Sequence, residues 1–127
     1  MNRMNHVQLV GKVTFAPQLR TLKNGSKVAN VGIGIPESYK NDKGEWSGKM
    51  HFVDVVCWNE QAQYIEQNIS KGDGVLVLGA LQYEQWEGKE GSKHSKLKVK
   101  GQKIVQIPLT DSRSEASGNG SEEDLST

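Results

Sequence analysis

Apolar and polar residues alternate along much of the first 107 positions, and alternation at period two is the signature of half-buried strands. From His6 to Val13, the apolar Val7, Leu9 and Val13 share one parity, and Gly11 within the run predicts a bend of the kind a small barrel needs. Pro17 and Asn24-Gly25-Ser26 mark turns. Lys27 to Pro36 is the second predicted strand, where Val31, Ile33 and Ile35 alternate with Gly32 and Gly34, leaving room for another backbone to approach. Glu37 to Lys49 is polar around Asn41-Asp42-Lys43-Gly44 and reads as a long loop or mobile hairpin carrying Tyr39 and Trp46. Met50 to Trp58 is the third strand. Asn59 is placed to cap a short helix whose Ala62, Ile65 and Ile69 fall on one face, with Gly72 to end it. A fourth strand, Gly74 to Gln85, turns a corner at Gly79. Residues 86 to 94 form a second polar loop, and Ser95 to Ile107 the fifth strand.

Three strands, one helix and two strands is not the order of a parallel α/β sheet, which needs a helix after nearly every strand. With turn residues at the joins and glycines inside strands, it predicts an all-β domain over residues 1–109: a five-stranded OB-fold barrel with one short helix between strands 3 and 4. Residues 110–127, rich in Ser, Gly and Glu, are expected to form a disordered acidic tail.

Composition narrows the classes. A chain of 127 residues suits one core, and 35% hydrophobic with 24% charged residues describes a soluble protein. No apolar run approaches the roughly 20 residues of a membrane helix. The opening Met1-Asn2-Arg3-Met4-Asn5-His6 lacks a signal peptide's apolar segment, so a cytoplasmic, nucleoid-associated location is expected. The single Cys57 lies in an apolar stretch and reads as a small core residue. The net charge of +1 hides a segregation: residues 1–110 hold 15 Lys and Arg against 10 Asp and Glu, whereas residues 111–127 hold one Arg against five acids. A basic body suits a polyanion, although an ordinary solvated surface would show the same balance.

Two strands carry the candidate chemistry. In the third, His51, Val53, Val55 and Cys57 share the parity expected of core, while Phe52, Asp54, Val56 and Trp58 share the other. Two aromatics on an outer face make a stacking platform for unpaired bases, at about 1–3 kcal/mol per base, although a core or interface role competes for both. In the fifth strand, Lys96, Lys98 and Lys100 form a cationic ladder opposite Leu97 and Val99, which are expected in the core. With Lys89, Lys93 and Lys103 nearby, the ladder could follow a phosphate backbone.

The residues also resemble a known family. Asn5-His6-Val7-Gln8-Leu9-Val10-Gly11-Lys12-Val13, Pro17-Gln18-Leu19-Arg20 and Asn24-Gly25-Ser26-Lys27-Val28-Ala29-Asn30 are similar to the opening of bacterial single-stranded DNA-binding proteins. The likeness runs on through Phe52-Val53-Asp54-Val55-Val56-Cys57-Trp58, Tyr64, Lys71-Gly72-Asp73 and Val77-Leu78-Gly79-Ala80-Leu81 to Trp86, covering about residues 4–107. It implies an OB fold, homotetrameric assembly, and protection of single-stranded DNA in replication, recombination and repair. It also implies stacking by Tyr39, Phe52, Trp58 and Trp86; Trp46 has no counterpart. Lys12, Lys71, Lys96 and Lys98 are the phosphate contacts expected here. Two departures stand out: Gln82 and Glu84 precede Trp86 where relatives often carry basic residues, and the chain ends Glu122-Glu123-Asp124-Leu125-Ser126-Thr127 rather than in Pro-Phe. The second puts recruitment of replication and repair proteins through the tail in doubt.

No enzyme, metal or cofactor is expected, because His6, His51 and His94 never reach metal-ligand spacing with each other or with Cys57. Gly32-Ile33-Gly34 leads to Pro36 and a polar stretch, not to the helix of a phosphate loop. Two alternatives remain open: an accessory primosomal-type OB module acting mainly through protein contacts, and an RNA-binding OB protein, since stacking does not read the sugar.

Overall fold

The structure, a computed structural model, describes residues 2–108, so the acidic tail lies outside the described residues. Six strands and one helix follow in order: β1 (Val7–Val13), β2 (Gln18–Thr21), β3 (Lys27–Lys40), β4 (Trp46–Trp58), α1 (Glu60–Asn68), β5 (Gly74–Glu87) and β6 (Lys93–Ile107). Five of them close a barrel in the cyclic order β1-β5-β6-β4-β3, with β2 added along β3. The predicted five-stranded barrel is therefore the observed one. The extra strand β2 was missed because all four of its residues are exposed, which removes the alternation that marks a half-buried strand.

Closure depends on two strands changing partners. β1 runs antiparallel to β5 from Val7 to Lys12 and then meets β3 at Lys12 and Val13. Gly11 sits at this handover, where a Cβ would stand 2.6 Å from the Gly34 carbonyl oxygen. The β5–β6 register shifts by one residue between Leu78 and Gly79, the corner expected at Gly79. The last seam is a short parallel pairing of β4 with β6, from Val55 opposite Val99 to Cys57 opposite Gly101.

Inside the barrel, Val13, Val31, Ile33, Val55, Val75, Val77, Val99 and Ile104 are buried with Cys57, whose thiol burial pushes up to about 12. Helix α1 covers one opening with Ala62 and Ile65, and Ile69 follows at its end. It also serves β6 directly: Gln61 Oε1 accepts from the Ile104 N–H at 2.9 Å, and the Tyr64 hydroxyl oxygen accepts from the Gln106 N–H at 3.0 Å. Asn59 occupies the N-cap position but makes no side-chain cap. Its Oδ1 instead accepts from the Lys27 N–H at 3.1 Å, and its N–H donates to the Lys27 carbonyl, so the residue ties the helix start to β3. The helix ends before Gly72, whose φ of +95° serves the turn into β5.

The first polar stretch, read as a long loop or mobile hairpin, is a hairpin, and the second is a short turn between strands that extend to Glu87 and Lys93. The β3–β4 register is unbroken from Val28 opposite Trp58 to Lys40 opposite Trp46. The Asn41 side chain closes the turn by accepting from the Lys43 and Glu45 N–H groups. β5 and β6 pair out to Glu87 opposite Lys93, and the Gly88 N–H donates to the Ser92 carbonyl at 2.7 Å. These arms rise clear of the barrel with both faces open to water, so polar side chains suit them and apolar alternation is lost. Two core assignments fail for that reason: Leu97 is 62% exposed where Val99, two residues nearer the barrel, is 1% exposed, and His51 is likewise exposed.

Candidate nucleic-acid interface

Strand parity sorts the side chains. On β4 the odd residues Val53, Val55 and Cys57 face the core, so Trp46, Met50, Phe52, Asp54, Val56 and Trp58 face outward. On β6 Val99 faces inward and Lys96, Lys98 and Lys100 outward. Since Val56 is in register with Lys100, the two outward rows adjoin across the β4–β6 seam. Between them lies a groove of about 690 Å³, lined by Asp54, Val56 and Trp58 from β4, Gln82, Tyr83 and Glu84 from β5, and the three lysines from β6. Phe15, Gln18, Arg20, Asn30 and Val31 complete it on the β2–β3 side.

The aromatics take distinct places in this frame. Trp58, at the end of β4, lines the groove. Phe52 stands on the same face opposite Gly34 and is 73% exposed, so burial does not account for it. Trp86 lies on strand β5 rather than in a loop, on the face of Gln82 and Glu84, and stacks on His94 with ring centroids 5.6 Å apart. Tyr39 is in register with Ser47 and therefore faces the opposite side of its hairpin. The structure thus brings Phe52, Trp58 and Trp86 to one face and sets Tyr39 apart.

The lysines divide too. Lys96 forms an ion pair with Asp54, and Lys98 Nζ lies 3.0 Å from Glu84 Oε2. Lys100 and Arg20 line the same groove and form no ion pair among the described residues. Lys12 is outside the groove but on its face, in register with Gly34 and so two strands from Phe52. Lys71 occupies the turn between α1 and β5 at the barrel's end, away from the groove lining.

Sequence reasoning missed Phe15, Gln18, Arg20, Asn30 and Tyr83. One signal was available for Phe15: Gly32 is an outward position left bare on a strand, and a Cβ there would overlap the Phe15 ring. What approaches that glycine is thus an aromatic side chain instead of a backbone.

A closed five-stranded barrel with a helix between its third and fourth strands, and a groove across its outer face, defines the OB-fold class. The chain belongs to the single-strand binding protein family, whose model matches residues 4–107. It is 36% identical over 96 residues to the single-stranded DNA-binding protein of Aquifex aeolicus, covering 76% of this chain and 65% of that one. It is 32% identical over 123 residues to that of Wolinella succinogenes, covering 97% and 74%. A Deinococcus radiodurans relative is 31% identical over 101 residues, and the chain spans 33% of its length. Among solved structures, the Plasmodium falciparum SSB complex with ssDNA superposes with a TM-score of 0.78 at 21% identity, covering 85% of this chain and 98% of that one. The Thermus aquaticus single-stranded DNA-binding protein gives 0.71 at 25%, covering 83% and 50%. Both share the fold. No helix among the described residues is long and apolar enough to cross a membrane.

Proposed function

We propose that the chain binds single-stranded DNA, as its relatives' names describe, and that it does so without sequence preference, protecting the strand in replication, recombination and repair. The observation that carries this reading is one outward face on which Phe52, Trp58 and Trp86 stand beside Lys96, Lys98 and Lys100. Bases stack on the rings and phosphates follow the cations, a division that holds any unpaired strand and excludes duplex, whose bases are already stacked. Lys12 extends the phosphate track beyond Phe52. Tyr39 contributes to a strand that passes round the edge of the β3–β4 hairpin. Lys71, at the far end of the barrel, is a contact for DNA that wraps the body.

Wrapping suits a homo-oligomer, a homotetramer above all, and along Val7–Val10 strand β1 pairs on one edge only, with β5, among the described residues. The function is one of binding and not of catalysis, and a nucleoid-associated, cytoplasmic setting fits it.

The test is tryptophan emission during titration with a mixed-sequence oligodeoxynucleotide, its duplex and its RNA counterpart, at rising salt. Quenching by single-stranded DNA, relieved by salt, is expected. Equal response to duplex would overturn the reading, and preference for RNA would replace it with an RNA-binding one.

A further inference from the structure

Trp46 is the tryptophan that the proposed site leaves unused. It opens β4 at the tip of the β3–β4 hairpin and is 71% exposed. No core explains it. Its parity does. The unbroken register places Trp46 on the same outward face as Met50, Phe52, Asp54 and Trp58, the side from which Tyr39 is excluded. Outward positions recur about every 7 Å along a strand, so the row from Phe52 to Trp46 prolongs the groove face by about 20 Å.

The row is shaped for planar ligands. Between Met50 and Trp46 comes Gly48, in register with Ser38, and a Cβ at Gly48 would meet nothing within 4 Å. This leaves an open step flanked by a thioether and an indole. Lys40, directly opposite Trp46, holds its Nζ 5.5 Å from the indole centroid. That contact steadies one face of the ring, and it sets a cation where the phosphate of a stacked nucleotide would lie.

We infer that Trp46, braced by Lys40, is a further base-stacking residue that carries a single strand from Phe52 out along the β3–β4 arm. The inference rests on the single-strand reading proposed above and extends it to a part of the surface which that reading does not use.

Replacing Trp58 and Trp86 by Phe leaves Trp46 as the only tryptophan and a direct reporter. Its emission should be quenched by a thymidine oligomer of about 16 nucleotides, the upper range for one OB fold. In the otherwise unaltered chain, Trp46→Ala should weaken binding of the same oligomer about tenfold, a value in the lower half of the range for one lost stack, whereas Trp46→Phe should restore most of it. Thermal melting of the Ala variant should match the parent, since the ring packs against no core. Binding by the parent with no change in Trp46 emission and no loss in Trp46→Ala would overturn this inference alone. Failure of the parent to bind the oligomer would remove the single-strand reading and this inference together.

Discussion

The two hairpin arms leave the same barrel, continue its outward face and differ in how they could hold a strand. On its groove face the β3–β4 arm presents Phe52, Met50, a bare Gly48 and Trp46, with Lys40 as its charge. The β5–β6 arm presents Gln82 with Lys98, Glu84 with Lys96, and Trp86 with His94. One arm is a stacking surface with little charge to neutralise. The other carries its cations already engaged, Lys98 by Glu84 and Lys96 by Asp54 on the neighbouring strand. A phosphate reaching those lysines replaces a carboxylate rather than water, so the electrostatic gain per contact is smaller than a bare ladder would give. The lesson is that the number of lysines in a groove overstates its attraction for DNA when acids share the same strands.

The largest effect should come from the stacking arm. Phe52→Ala is expected to weaken single-strand binding about tenfold, within the 1–3 kcal/mol per stacked base, and by a similar factor for every sequence and at low and high salt alike. Titrations across salt check this, and a loss that fades as salt rises would show that Phe52 acts by placing charges. Trp86→Ala should cost a comparable factor, because its ring also meets bases, and the same sequence independence should hold. The charged arm should respond in the opposite direction. Glu84→Gln releases Lys98 while keeping the side chain's shape, so binding should tighten about threefold at low salt. The slope of log K against log salt should then steepen by about 0.7, one further phosphate neutralised on a single strand. An unchanged slope would mean that Lys98 never exchanges its partner.

The arms are also where the sequence was hardest to read. The barrel was legible because Val13, Val31, Ile33, Val55, Val77 and Val99 keep strict alternation on strands with one face buried and one wet. Beyond the barrel rim the same strands have two wet faces, and nothing in the run from Glu37 to Lys49 distinguishes a strand from a loop. Register carried the information instead: a hairpin that keeps its pairing to Lys40 and Trp46 fixes which residues share a face, and so separates Tyr39 from Phe52. Phe52, Trp58 and the three lysines were found by parity within the barrel. Arg20 and Phe15 were not, since they reach the groove from segments that are too short or too irregular to show a pattern. The pairing of Lys96 and Lys98 with acids depended on contacts between strands that no local pattern encodes.

The smallest expected effect lies on the back of the stacking arm, where His51 Nε2 and Glu37 Oε1 are 2.6 Å apart. A carboxylate has only acceptors, so the imidazole donates this bond. The bond and the neighbouring His51 charge hold the Glu37 carboxyl below its ordinary 4.5, with a lesser contribution from Lys49. A carboxyl depressed in the folded state contributes stability that is present above its unfolded value and lost as the pH falls through the folded one. Parent and Glu37→Gln should therefore differ slightly in melting temperature near neutrality and converge as the pH is lowered well below 4.5. The pair is exposed to solvent, so the gap should be small and should shrink with salt. Because the pair faces away from Phe52 and Trp46, binding of a single strand should be the same in both chains at neutral pH. A loss of affinity in Glu37→Gln would place DNA across the back of the arm, well beyond the edge at which Tyr39 meets it, and so remove the one-sided character that separates this arm from its neighbour.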